Sequence, residues 1–257
     1  MNFSRKLTLM TLAFLLAYVP SFGMAQKDDQ KKRGREIAEK MEKANDGFVG
    51  EQARMEMILI DAYGTKTVRQ MVGKTLEVKD DGDKSLMIFL NPQDVKGTKM
   101  LTWSHEREDD DQWLYLPALR RVKRISSSNK MSSFMGSEFS YEDLGSQEIE
   151  KYKFTFLREE ELLGEDVWVL KRVPKVESGY SKMIMYVSKE KMNPLKIEYY
   201  DRKEELLKIG RFKDFKKYEV NDKEMWRANE IEMENIQTKK ESIFNWKKRQ
   251  LGVKHPS

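Results

Sequence analysis

A period of two runs along most of this chain, and it leaves little choice of fold. Ala53, Met55, Met57 and Leu59 alternate with Arg54 and Glu56, and Tyr152, Phe154 and Phe156 alternate with Lys151, Lys153 and Thr155. Such alternation sets one face of an extended strand against a core and the other toward water. Val68, Val72, Leu76 and Val78 continue the pattern, and Asp80-Asp81-Gly82-Asp83 then turns the chain. Segments 86–90, 99–103, 167–170, 183–187, 195–199, 207–215 and 225–233 read as further strands. Asn91-Pro92, Gly164, Asn193-Pro194 and Asn221-Asp222 punctuate them. The sum is about ten or eleven strands with short connections, an antiparallel meander. Strands of about twelve residues span ~40 Å and twist strongly, so a sheet of them curls toward a barrel.

Two segments break the period. Ile37, Ala38, Met41 and Ala44 recur at helical spacing and stop at Asn45-Asp46-Gly47, which predicts a short amphipathic helix. Residues 126–146 are rich in Ser, Gly and Met, with a helical turn expected within 138–144.

The N-terminus suggests a compartment. Arg5 and Lys6 precede an apolar run over residues 7–22, and Gly23-Met24-Ala25 supplies small residues where a signal peptidase cuts. Residues 1–25 therefore read as a secretory signal peptide cleaved after Ala25, which places residues 26–257 in the periplasm as one domain. With no cysteine in the chain, stability there rests on packing rather than disulfides. The net charge is only +5 and acids are interleaved with bases, the pattern of a solvated surface rather than a nucleic-acid binder.

Motifs for catalysis are nearly absent. The only histidines are His105 and His255, without the spacing of a transition-metal site, and Asp109, Asp110 and Asp111 lack calcium-loop spacing. Ser127 and Lys130 satisfy Ser-x-x-Lys, but the partner motifs of the penicillin-recognising enzymes are missing. No phosphate loop, dinucleotide fingerprint or other cofactor motif occurs. An envelope-lipid hydrolase using Ser127 and Lys130 is a minor alternative.

Two features point to binding instead. Sixteen methionines include Met55, Met57, Met71, Met87, Met100, Met183 and Met185 in strands and Met131 and Met135 in the long loop. Flexible, polarizable side chains suit an apolar surface that accepts varied shapes. The stretch "DQWLYLPALRRVKRISSSNK" (111–130) places Trp113 and Tyr115 on one face of a hairpin and Leu114 and Leu116 on the other. Pro117 turns it, and Arg120, Arg121, Lys123 and Arg124 return. Grease beside positive charge is what an anionic amphiphile needs: about 0.8 kcal/mol per buried methylene, and charge-assisted hydrogen bonds for its head.

Together with that stretch, "FLNPQDVKGTKMLTW" (89–103) and "SFMGSEFSYEDLGS" (133–146) resemble the outer-membrane lipoprotein-sorting protein family, the LolA-like carriers, over most of the chain. The resemblance implies an unclosed β-barrel: a strongly curved antiparallel sheet with short helices capping its concave face. It also implies a cavity for the acyl chains of a lipid or lipoprotein, no catalysis, and a handoff partner such as an inner-membrane exporter of the resistance-nodulation-division (RND) type. The protein is expected to be a monomer. The cavity is expected to be lined by Met55, Met57, Leu59, Val68, Val72, Leu86, Ile88, Met100, Trp103, Trp113, Tyr115, Phe154 and Phe156. Met131, Phe134, Met135 and Phe139 are expected to form a lid, with Arg120, Arg121, Lys123 and Arg124 meeting a head group or partner.

Overall fold

The structure, a computed structural model, describes residues 21–255. The predicted signal peptide lies outside the described residues up to residue 20; its last residues, 21–25, begin the helix α1 (Ser21–Asn45). That helix ends where Asn45-Asp46-Gly47 predicted but starts earlier than its apolar pattern. Its charged stretch is rich in Lys, Arg, Gln and Glu, all good helix formers, with ion pairs from Asp28 to Lys31 at 3.0 Å and from Arg35 to Glu39 at 2.8 Å.

Six strands follow: β1 (Gly50–Ile60), β2 (Lys66–Leu76), β3 (Lys84–Asn91), β4 (Lys99–Trp103), β5 (Asp111–Leu116) and β6 (Arg121–Ile125). After a long connection come β7 (Tyr152–Leu162), β8 (Glu165–Pro174), β9 (Lys182–Ser188), β10 (Pro194–Tyr200), β11 (Leu206–Val220), β12 (Lys223–Asn235) and β13 (Lys240–Leu251). All thirteen form one antiparallel sheet in the order β6-β5-β4-β3-β2-β1-β13-β12-β11-β10-β9-β8-β7. The last strand pairs with the first, and β6 and β7 remain as free edges, so the sheet curls without closing. This is the expected unclosed barrel, with more strands than the alternation reveals. Polar positions such as Asn245, Lys247 and Lys248 dilute the pattern in β13 to the row Ser242, Phe244 and Trp246.

Turn chemistry sets the register. Asn221 and Asp222 both adopt positive φ (50° and 62°), the two-residue turn whose twist matches a tight hairpin, and β11 and β12 pair from Val220–Lys223 outward.

Residues directly opposite in antiparallel strands share a face, and the register therefore traces one concave row after another. Met57 pairs with Phe244, Phe244 with Ile231, Met71 with Met55 and Phe89 with Met71. Phe89, Met57, Met71, Met100, Met183 and Met233 on this face are fully buried. The connection between the free edges, residues 126–151, does not run around the outside. It crosses the concave side, carrying short 3-10 turns at Ser127–Asn129, Tyr141–Leu144 and Ile149–Lys151. Next to it α1 lies along β7, where the helix backbone at Gly34 approaches so closely that a β-carbon there would sit 2.7 Å from the backbone nitrogen of Phe156.

Candidate functional site

Two cavities lie between the concave face and what covers it. The larger, about 450 Å³, is walled by Ala38 and Met41 of α1, by Phe139 and Ile149 of the crossing loop, and by Phe154, Met185, Ile197, Phe212, Ile231 and Met233 of the sheet. The smaller, about 290 Å³, lies over β1–β3 and β13 and is lined by Met55, Met87, Leu144, Phe244 and Trp246 among others. Phe139 and Asp143 belong to both walls, so the loop partitions one trough into two chambers. Each is close to or within the ~300–1,000 Å³ range of small-ligand sites.

The loop is anchored at both apolar and polar points. Phe134 is 0% exposed, its ring centroid 5.9 Å from Phe89 and 5.7 Å from Tyr141, and Phe139 lies 4.5 Å from Phe244. Between them the sheet presents polar groups inward. Lys208 Nζ donates to Glu138 O at 3.1 Å and pairs with Asp143 Oδ2 at 2.6 Å, with side chains only 4% and 6% exposed. Asp143 also accepts from Ser140 N and Oγ and from Tyr180 Oη (2.7, 2.9 and 2.8 Å). Glu138 N donates to Ser242 Oγ at 3.0 Å, and Gln112 Nε2 donates to Tyr141 O at 2.9 Å. Buried ionic and hydrogen-bonded contacts of this kind fix a geometry, because losing one partner strands the other without water.

At the C-terminal end of α1, cations of β12 satisfy the helix's last carbonyls. Arg227 Nη2 donates to Asn45 O at 3.0 Å and Lys223 Nζ to Lys43 O at 2.6 Å. Carboxylates gather beside them. Glu42, Asp46, Asp83 and Glu148 line the larger cavity. Burial raises the pKa of each, and Glu148, Glu77 and Asp46 add to the effect at Asp83, which is pushed up to about 7.

The residues singled out from sequence divide by face. Met55, Met57, Leu59, Met100, Phe154 and Phe156 stand on the concave side, although only Met55 and Phe154 reach a cavity wall. Met57 and Met100 are packed solid under the loop, and Phe156 lies beneath the guanidinium of Arg33 at 3.8 Å. The other seven belong to the opposite face: Val68 pairs with Ile58, Val72 with Arg54 and Ile88, Leu86 with Leu101, Trp103 with Lys84, Trp113 with Leu101 and Tyr115 with Lys99. Alternation sorts each strand into two sets without saying which set is inside. From β2 to β5 both sets are apolar, and the curvature turned Val68, Val72, Leu86, Ile88, Trp103, Trp113 and Tyr115 outward.

Among the expected lid residues, Phe134 and Phe139 are buried in the trough and Met135 is half-buried, its carbonyl accepting from Arg69. Met131 packs on Gly179, where a β-carbon would sit 2.9 Å from Met131 Cγ. Arg120, Arg121, Lys123 and Arg124 are exposed at the β5–β6 turn and along the edge strand β6, and they line neither cavity. The Ser-x-x-Lys pair does not assemble into a nucleophile and its base: Ser127 Oγ and Lys130 Nζ both go to the carboxylate of Asp109, at 2.7 and 3.1 Å. Asp109, Asp110 and Asp111 diverge to Lys130, Lys151 and Arg124.

Sequence reasoning passed over Arg172, Lys208 and Asp143. Lys208 and Arg172 are cations at inward-facing strand positions, a signal that becomes readable only once the register is known.

Several solved structures share this architecture. A Vibrio parahaemolyticus domain named for outer-membrane lipoprotein sorting superposes with a TM-score of 0.85 at 46% identity, covering 88% of this chain and 95% of its own. A DUF1329 family protein from Desulfovibrio piger gives 0.82 at 29% identity, covering 88% and 95%. A LolA superfamily protein from Nitrosomonas europaea gives 0.67 at 19% identity, covering 87% and 94%, a likeness of fold. A family model described as that of an uncharacterized protein matches residues 81–257, and no curated protein matches the chain.

Proposed function

The chain belongs to the LolA-like outer-membrane lipoprotein-sorting family, and from that membership we propose that it is a non-enzymatic periplasmic carrier for the acyl chains of lipids or lipoproteins. The observation that carries this reading is the partitioned trough. An apolar sheet face is kept from collapsing by a loop pinned through polar contacts, leaving about 450 Å³ and 290 Å³ of space whose walls combine Met, Ile and Phe side chains with polar groups such as Asp143, Arg172 and Arg249. A trough built only for stability would be filled, since interiors pack as densely as organic crystals. Methionines in the walls accommodate tails of differing shape. The leader-like N-terminus supports a periplasmic address, and no described helix is long and apolar enough to cross a membrane.

Native mass spectrometry of the protein isolated from its own envelope tests this. Co-purified acyl species are expected. A lipid-free protein tightly bound to an inner-membrane transporter instead favours an accessory role in an RND-type exporter. One observation favours that second reading: the edge hairpin β5–β6 exposes Leu119 (64%) and Val122 (63%) among Arg120, Arg121, Lys123 and Arg124, a surface suited to a docking partner. Replacing Ser127 by alanine is expected to leave lipid binding unchanged, whereas loss of a hydrolytic activity on envelope lipids in that variant would revive the enzymatic alternative.

A further inference from the structure

Among the described residues, three guanidiniums at inward-facing strand positions have no carboxylate within 4.0 Å: Arg172 and Arg227 in the wall of the larger cavity, and Arg69 on the same face of β2 outside both cavities. Two of them have other work. Arg69 donates to the Met135 carbonyl of the loop, and Arg227 holds the Asn45 carbonyl at the end of α1. Arg172 holds nothing of the kind. It is 3% exposed, in the wall of the larger cavity; its Nη2 lies 2.9 Å from the thioether sulfur of Met183, and its buried Nε makes no hydrogen bond. A thioether is a weak acceptor, and the Tyr152 ring, 4.4 Å from the guanidinium carbon, offsets only part of what burying a full charge costs. No carboxylate of the cavity wall lies within 4.0 Å of Arg172: Asp143 is held by Lys208, Ser140 and Tyr180, and Glu42, Asp46, Asp83 and Glu148 gather at the α1 end beside Arg227, where burial raises the pKa of each and favours its neutral form.

The surroundings describe a head-group site. Register places Arg172, Met183 and Tyr199 side by side across β8, β9 and β10, and Tyr199 lines the same cavity. Burial raises the Tyr199 pKa, keeping its hydroxyl a donor. Below this polar row, Met185 and Ile197 continue the wall toward Phe212 and Ile231, a purely apolar stretch. Resting on the carrier reading, we infer that the larger cavity selects amphiphiles with an anionic head, a carboxylate or a phosphate on an acyl tail, and that Arg172 is the counter-charge that receives it. The cations of β6, which sequence alone suggested for this task, lie outside the cavity; the interior one does the selecting.

The test is displacement of the neutral fluorophore N-phenyl-1-naphthylamine from the protein by oleate, oleoyl lysophosphatidate, oleyl alcohol and inorganic phosphate. Oleate or the lysophosphatidate is expected to displace it at about tenfold lower concentration than the alcohol, the scale of one charge-assisted hydrogen-bonded pair. Which of the two wins identifies the head, and free phosphate without a tail is expected to displace nothing. In Arg172→Met the alcohol should bind as before and the preference should vanish, while Arg172→Lys keeps part of it. The ligand-free Arg172→Met protein should also melt higher, because an unpaired buried charge has gone. Equal displacement by alcohol and anions in the wild-type protein overturns the inference and leaves the carrier reading standing; so does a preference that survives Arg172→Met. Failure of the fluorophore and of every oleoyl compound to bind would sink both.

Discussion

Asp83 offers a sharp check on the electrostatics at the end of the trough. Its carboxyl is half-buried, accepts from Val78 N at 3.2 Å, and faces the carboxylates of Glu148, Glu77 and Asp46, with Arg227 across the cavity. Burial, reinforced by these neighbours, pushes its pKa from 3.8 to about 7. The native protein therefore keeps a proton on Asp83 up to near neutrality, whereas the unfolded chain gives it up near pH 4. Between those limits the native state binds more protons, so raising the pH favours unfolding. A difference of about three pKa units corresponds to a ceiling of about 4 kcal/mol, and solvent screening of a half-buried group reduces it to about 2 kcal/mol. Asp83→Asn keeps an acceptor for the Val78 amide and removes the titration. Thermal melts of both proteins from pH 4 to 8.5 should show the variant's advantage growing as the pH rises, then levelling off above about 7. For a domain of this size the final gap should be about 4–8 °C. An advantage that is flat with pH, or that grows toward acid, refutes the assignment of a protonated Asp83.

Other parts of the design can be probed separately. Gly34→Ala places a methyl group 2.7 Å from the β7 backbone and should detach α1, seen as protease cleavage within residues 26–45 while the sheet's circular dichroism persists. Lys208→Met leaves Asp143 without its buried counter-charge; a loss of about 3–5 kcal/mol in denaturant unfolding is expected, and a change below 1 kcal/mol would mean the pair does not pin the loop. Phe139→Ala removes the partition between the two chambers. Stability should fall by about 3 kcal/mol, and the longest fatty acid that displaces a fluorescent probe should lengthen by several carbons.

Much of the sheet could be read directly because short-range rules govern it. Tyr152, Phe154 and Phe156 had to share a face, Asn221-Asp222 had to turn, and Asn45-Asp46-Gly47 had to end the helix. The strand that escaped notice, β13, pairs with β1 across most of the chain's length, and its place is earned by a partner rather than by its own alternation. The site was less legible. Leu86, Ile88, Trp103, Trp113 and Tyr115 are as apolar as Met87, Met100 and Leu114 beside them, so nothing local told the two sets apart.

Sequence by itself determined that the chain is extended, antiparallel, cysteine-free and turned at particular dipeptides, since each of these depends on residues a few positions apart. Only the tertiary structure decided which face became the inside. That choice depends on how thirteen strands curl together and on the path of residues 126–151 across one face. The same closure took Arg172, an unremarked cation in an ordinary strand, and buried it beside empty space, because desolvation is a property of the enclosing fold and not of the residue.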